Sequence, residues 1–339
     1  MEIFRRLPTA LLLLLAVSFL SGKAPDTGIL RINGICLTAP PRPFPAEHLD
    51  ALETVGADWV AVIPYAFSTL EKPGLWFNSE RQWWGERTEG VVAQVRYARE
   101  RGLRVMIKPH VWVMQQGWLG DYDAGSDEAW KAWEDGFRRY ILHYARLADS
   151  LDAELFCIGT EARVSVRKRP EFWHSLIADV RDVYDGPLTY AANWDHMEQV
   201  PFWHALDYIG VDAYFPLLDD AQPGVEALIK AWEKPHQQLH ALHQATGKPI
   251  LFTEYGYLSV DGAAGRNWEL ESQLHRLPIN MQAQSDAFEA LFERFWDEPW
   301  FRGGFIWKWY LREQAGGSEN RDYTPQGKPV TSVIRRYYQ

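Results

Sequence analysis

Short apolar runs alternate with amphipathic stretches along almost the whole chain. Eight runs read as β-strands: Ile32–Leu37, Trp59–Pro64, Arg104–His110, Leu155–Glu161, Leu188–Asn193, Tyr208–Tyr214, Ile250–Glu254 and Gly304–Trp309. They are rich in Val, Ile, Phe and Tyr, and several are almost continuously apolar, as parallel strands covered on both faces should be. Between them lie helical patterns with recognisable ends. Thr88 is placed to cap Glu89–Arg101, and Gly102 suits a left-handed stop. Ser126 is placed to cap Asp127–Ser150, whose acidic first turn complements the helix dipole. Pro170 opens Glu171–Tyr184, and Val225–Thr246 and Ser285–Trp296 complete the clearest set.

Repeated strand–helix alternation predicts a parallel sheet, and eight units in this length predict a closed (β/α)₈ TIM barrel of α/β class. No Gly/Ser- or Pro-rich linker, repeat, dinucleotide fingerprint or phosphate loop interrupts it. A single domain over residues 24–339 is expected. The long connections Tyr65–Arg87, Val111–Gly125 and Tyr255–Gln284 follow strands, so they should shape the face where such barrels keep their sites.

The first 23 residues follow a different pattern. Arg5 and Arg6 precede the apolar run from Ala10 to Leu20, and small residues follow at Ser21, Gly22 and Ala24. That order is the anatomy of a secretory signal peptide, so residues 1–23 are expected to direct export to the periplasm or the exterior. The run is short of the roughly 20 apolar residues of a membrane span. An uncleaved anchor is the alternative, and it is the only membrane contact the sequence suggests.

Composition narrows the partners. The chain has 339 residues, 47% of them hydrophobic, enough for a large core. A formal net charge of -10 argues against nucleic acid, whose phosphates demand Lys and Arg. The outlier is aromatic content, with 17 Trp, 15 Tyr and 16 Phe. Trp and Tyr offer flat apolar faces with a polar handle, which suit sugar rings. Most Phe should fill the core, whereas Trp83, Trp84 and Trp118 lie in loops beside polar residues. Cys36 and Cys157 read as small buried residues, with a disulfide allowed but not indicated. The ten His show no ligand spacing, so neither a metal nor an organic cofactor is expected, and a monomer is.

Two glutamates carry the candidate chemistry. Glu161 closes the fourth run and Glu254 the seventh. At the C-terminal ends of parallel strands, both should face the mouth of the barrel. Glycosidic cleavage needs a proton donor for the leaving oxygen and a second carboxylate that attacks carbon or activates water. Two glutamates fill those roles if their surroundings separate their pKa values. The competing reading is a rim salt bridge, such as Glu161 with Arg163.

Several short motifs then resemble a known family. Lys108-Pro109-His110-Val111-Trp112, Ile158-Gly159-Thr160-Glu161 and Phe252-Thr253-Glu254-Tyr255-Gly256-Tyr257 are similar to glycoside hydrolase family 113, the β-mannanases of clan A. Trp59–Pro64 and Gly304–Trp309 also resemble its second and eighth strands. The resemblance implies a retaining double displacement, with Glu161 as acid/base and Glu254 as nucleophile. Thr160 stands where most of the clan has an Asn that contacts the sugar 2-hydroxyl, but the narrower family shares the Thr.

By clan analogy Tyr214 holds the nucleophile and Trp307 forms the platform under the reacting ring. Trp309 shares the period-two phase of Trp307 and should face inward too, unless it fills a core layer. His110 and Trp112 end the third strand within reach of a sugar, although a buried His has a structural reading as well. Asn193 and Trp194 end the fifth strand, where Asn193 binds a hydroxyl or closes the turn before Asp195. Lys108 should be buried and paired. The reading is an endo-acting enzyme on β-1,4-linked mannan or glucomannan. A relative acting on another β-linked glycan, or a barrel that binds carbohydrate without cleaving it, stays open.

Overall fold

Among the described residues, eleven strands arise from the alternation. They are β1 (Ile32–Thr38), β2 (Trp59–Val62), β3 (Tyr65–Thr69), β4 (Trp76–Phe77), β5 (Arg104–Ile107) and β6 (His110–Met114), then β7 (Leu155–Thr160), β8 (Leu188–Asn193), β9 (Ile209–Asp212), β10 (Ile250–Tyr255) and β11 (Phe301–Tyr310). The structure, a computed structural model, describes residues 31–338. The predicted signal segment lies outside the described residues.

Eight strands close into a barrel in the order β1-β11-β10-β9-β8-β7-β5-β2, with every neighbouring pair parallel. Helices between the strands sheathe the outside, including Thr88–Arg99, Asp127–Ser150, Pro170–Arg181 and Met281–Phe295. The predicted TIM barrel is therefore the fold. Apolar side chains form two layers, as parallel strands covered on both faces require. Cys36, Ala61, Met106, Cys157, Leu251 and Phe305 fill the barrel itself. A larger layer lies between strands and helices, where Trp133, Trp173 and Trp232 are fully buried. Both cysteines are free and buried.

The departures have local causes. The second and third predicted strands each stop before a proline, Pro64 and Pro109, which has no N–H for the ladder. The chain resumes beyond each proline as β3 and β6. These pair with each other, and β4 pairs with the other edge of β3, in a separate three-stranded sheet. Two predicted loops thus begin as strands. The single helix expected over Val225–Thr246 is two, Val225–Ala231 and Glu233–Thr246, because Pro235 cannot donate to the preceding turn.

The Ser126 cap forms, its hydroxyl accepting the Ala129 N–H at 3.2 Å. Thr88 does not cap. It lies inside the first turn of its helix, and its hydroxyl meets His143 Nε2 at 2.7 Å.

The barrel floor is tightly filled. Gly34 of β1 faces Phe305 of β11, and a Cβ at Gly34 would overlap the Phe305 ring, which is itself fully buried. A buried ring has nowhere to move, so Gly34→Ala should destabilise the fold by about 1–3 kcal/mol, the usual cost of overpacking. Scanning calorimetry should show a melting temperature several degrees lower. An unchanged transition would mean the floor has slack.

Candidate active site

A cavity of about 690 Å³ opens at the C-terminal mouth of the barrel, and both Glu161 and Glu254 line it. His110, Trp112, Thr160, Asn193, Trp194, Tyr214 and Trp307 line it as well. The fold therefore brings together, from six strands or the residues just after them, nearly every candidate singled out in the sequence.

Glu161 sits immediately after β7, and its backbone N–H donates to the Ala191 carbonyl of β8 at 2.8 Å. Its φ is +51°, the left-handed region, which costs a non-glycine residue about 1–2 kcal/mol. That cost aims the side chain over the barrel mouth, and such strain concentrates at working sites. The Trp118 indole N–H donates to Oε2 of Glu161. The rim ion pair with Arg163 does not form. Arg163 pairs instead with Asp121 and, at 2.9 Å, with Asp195, and its guanidinium covers the Trp118 ring at 4.6 Å. Arg163 thus braces the donor that holds Glu161.

Glu254 lies within β10 and is held on both oxygens. The Lys108 ammonium donates to Oε1, and the Tyr214 hydroxyl donates to Oε2 at 2.9 Å. His110 Nε2 approaches Oε1 at 3.3 Å without the alignment of a hydrogen bond. Lys108 is fully buried, as the sequence suggested, and also donates to Asp212 at 3.1 and 3.4 Å. Thr253 donates to Asp212 in turn, at 2.7 Å.

The two glutamates are driven apart electrostatically. Burial pushes the Glu161 carboxyl well above the usual carboxylate range, and the nearby Asp212 and Glu254 charges push the same way. Burial acts on Glu254 too, but Lys108 foremost, with His110, overrides it and holds Glu254 below its ordinary value. One ammonium cannot compensate two carboxylates equally. Asp212 is the one driven up, by burial and by Glu254. Burial and the Lys108 charge lower His110, leaving it neutral near pH 7. The cavity therefore presents a protonated carboxyl and an ionised one.

Other predictions meet different fates. His110 and Trp307 stack in parallel, with centroids 6.1 Å apart at 4°. The peptide bond between Trp307 and Lys308 is cis. Trp194 stacks on Trp268, at 6.0 Å and 23°. Asn193 lines the cavity and also closes its turn, its carbonyl accepting the His196 N–H at 3.0 Å. Thr160 lines the cavity, but its hydroxyl donates to the Pro109 carbonyl at 3.2 Å and is not a free donor for a sugar.

Trp309 must be corrected. It lies buried in the layer between strands and helices, not in the cavity. The β1–β11 register shifts between Ile35↔Ile306 and Leu37↔Trp309, so β11 has one residue more than β1 there. That irregularity resets the two-residue alternation, and Trp309 joins the outward-facing Leu37.

Several residues in or behind the cavity were missed. Asp212 was visible as an acid inside an apolar strand. Asn267, Trp268 and Glu271 come from the long connection after β10, and Tyr323 from beyond β11. Their loops carry no periodicity that would aim them. Among the described residues no cluster of His, Cys, Asp and Glu is arranged to hold a metal ion.

The profile of Glycoside Hydrolase Family 113 matches residues 42–328. No curated protein matches the sequence. A family 113 β-mannanase from Alicyclobacillus acidocaldarius, solved in complex with ManMIm, superposes with a TM-score of 0.80 at 26% identity, over 91% of this chain and 97% of that one. A complex of a family 113 β-1,4-mannanase gives 0.78 at 26% identity, over 91% and 99%. A β-glucuronidase from Ruminococcus gnavus gives 0.61 at 13% identity, over 91% of this chain and 50% of that one, a likeness of fold alone.

The raised carboxyl of Glu161 has a consequence for stability. A group whose folded pKa lies above its unfolded value binds more protons when folded, so stability falls as pH rises between the two values. Glu161→Gln removes that penalty. The variant should melt higher than the parent at pH 7, and the difference should shrink towards pH 4, where the carboxyl is largely neutral in both states. An equal difference at both pH values would contradict the assignment.

Proposed function

The chain belongs to glycoside hydrolase family 113, and from that membership we propose that it cleaves β-1,4-linked mannan or glucomannan internally, with retention of configuration. The observation that carries the reading is the opposed state of two carboxyls lining one cavity. Glu161, kept protonated by burial, gives its proton to the glycosidic oxygen as the bond to the anomeric carbon breaks. Glu254, kept ionised by Lys108, attacks that carbon from the other face and forms a glycosyl ester. Glu161, now ionised, takes a proton from water, and the resulting hydroxide displaces Glu254.

The neighbours support these roles. The Tyr214 hydroxyl fixes one oxygen of Glu254, which leaves the carboxylate little freedom to turn away. Burial keeps Glu161 raised even though the Trp118 N–H that holds it favours the ionised form. Trp307, packed parallel to His110, offers a flat face at the base of the cavity for the reacting ring. Two exposed aromatic rings, Trp112 of β6 and Trp268 of the connection after β10, line the same cavity as the pair, which favours an open cleft over a closed end pocket. The N-terminal pattern of the sequence supports export, which would place the enzyme where polysaccharide is met.

Reducing ends should be released from β-1,4-mannan by the wild-type chain, and Glu254→Ala should abolish the release. Azide, small enough to enter the space left, should restore part of the activity and yield a glycosyl azide of inverted configuration. Near-wild-type turnover by Glu254→Ala would exclude it as nucleophile. Activity on cellulose oligomers but not mannan would move the substrate to another hexosan.

The pH profile of kcat/KM is a second test. The acid limb reports protonation of Glu254 and should lie below the ordinary carboxylate range. The alkaline limb reports ionisation of Glu161 and should lie above it. In Glu161→Gln the alkaline limb should disappear from whatever activity remains. A limb that persists unchanged would assign it to another group.

A further inference from the structure

Trp118 lies on the connection after β6, an irregular loop, yet its indole is firmly placed. Gln115 and Gly117 take positive φ angles, +70° and +86°, and the chain turns so that Val113 bridges to Gly117. The Gln116 side-chain amide then donates to the Trp118 carbonyl at 3.0 Å. The ring packs so closely on Gly120 that a Cβ there would overlap it. The Arg163 guanidinium covers the ring at 4.6 Å. Trp118 is only half-buried, so shape and cation–π attraction fix it where a core would not.

The cation over the ring is itself held across three loops. Arg163 opens the short helix Arg163–Lys168 that follows β7. It pairs with Asp121 of the Trp118 connection and with Asp195 just after β8. Lys168 and Arg169 pair with Asp123 and Asp127, so three cations of one segment dock three acids of, or just after, that connection. Exposed ion pairs add little stability singly. Their common effect is to fix where the connection lies. The outcome is one hydrogen bond, from the indole N–H to Oε2 of Glu161. Oε1 makes no hydrogen bond among the described residues and is open to the cavity.

The two oxygens of Glu161 are therefore unequal. In a carboxylic acid the oxygen without the proton is the better acceptor, so an N–H on Oε2 leaves the proton on Oε1. We propose that Trp118 is a positioning residue that makes Oε1 the working oxygen of Glu161 in both half-reactions, and that the Arg163 clasp keeps it in that role. This rests on the function proposed above. In the first half-reaction the Oε1 proton passes to the glycosidic oxygen. That oxygen keeps the electron pair of its breaking bond to the anomeric carbon, while Glu254 bonds to the carbon. In the second, ionised Oε1 takes a proton from water as the water oxygen bonds to the same carbon, and the Glu254 ester bond breaks with its pair returning to the carboxylate. The indole N–H favours the ionised state that this second step needs. Glu161 also faces Asp212 of β9, Glu254 of β10 and Lys108 just after β5, with Tyr190 of β8 and Arg163 beside it. All of these stay in place when only the indole nitrogen is removed.

Trp118→Phe keeps an aromatic ring and loses the donor. In the full chain carrying ¹³C-labelled glutamate carboxyls, the Glu161 resonance is the one missing from Glu161→Gln. Losing a donor to the ionised form raises a pKa, so the midpoint of that resonance should rise by about one pH unit in Trp118→Phe, a tenfold change in ionisation constant. The alkaline limb of kcat/KM on mannohexaose should move with it, and the value below the limb should fall about tenfold. A dinitrophenyl β-mannobioside, whose leaving group needs no proton, should keep its kcat/KM and lose kcat, because the second half-reaction still needs the base. Arg163→Met leaves the indole in place and should show the same changes, smaller; it carries the test if Trp118→Phe melts much lower than the parent. An unmoved midpoint in the folded variants, or equal losses of kcat/KM on both substrates, would overturn the inference and leave the proposed function standing. A wild-type chain inactive on both substrates would refute that function, and the titration alone would then decide whether Trp118 acts on Glu161.

Discussion

A single buried ammonium organises the centre of this protein. Lys108 lies wholly out of water and can stay charged there only because Asp212 and Glu254 face it. Desolvating an isolated ion costs several kcal/mol, so the three groups stand or fall together. The arrangement is unequal by design of its geometry. Asp212 is fixed from behind by Thr253 and takes the unfavourable share, while Glu254 keeps its charge at the edge of the cavity. Fixing one negative charge there also helps to keep Glu161 protonated across the mouth. The acid and the anion are therefore not independent features.

Two prolines do comparable work for shape. Pro64 and Pro109 end the second and third barrel strands at neighbouring positions, and the released segments pair again just outside. The His110 N–H still reaches back to the Pro64 carbonyl at 3.0 Å, and Tyr140 donates to the same carbonyl and to that of His110 at 2.9 Å each. Breaking the strands thus leaves these backbone groups satisfied while turning a row of aromatics from the barrel wall into the side of a cleft. Lys108 sits one residue before Pro109, so the same interruption that builds the cleft wall also places the ammonium.

The aromatic excess divides accordingly. Trp133, Trp173 and Trp232 serve the layer between strands and helices, where large rings fill volume. Trp76, Trp83, Trp112 and Trp268 stay exposed around the mouth. Composition alone showed that there were too many aromatics, and only position separates the two populations. Trp309 illustrates how finely that depends on backbone. Two residues from Trp307 on the same strand, it was expected to share the same side, and one register shift sends it into the outer layer.

By itself the sequence determined the barrel, the strand that each glutamate ends, and most of the side chains that meet there. These follow from periodicity, and periodicity is local: an apolar run between helical patterns makes a buried strand whatever surrounds it, and its last residue faces the mouth. Tertiary structure alone decided which groups touch. Lys108 and Asp212 are 104 residues apart, and Lys108 and Glu254 are 146 apart. No local pattern encodes such a pairing, because it depends on where the closed ring of strands sets each end in space. The same holds for the freedom of Glu161 from Arg163, for Trp118 and for the contributions of the long loops, whose positions are fixed by packing and not by any repeat in the chain.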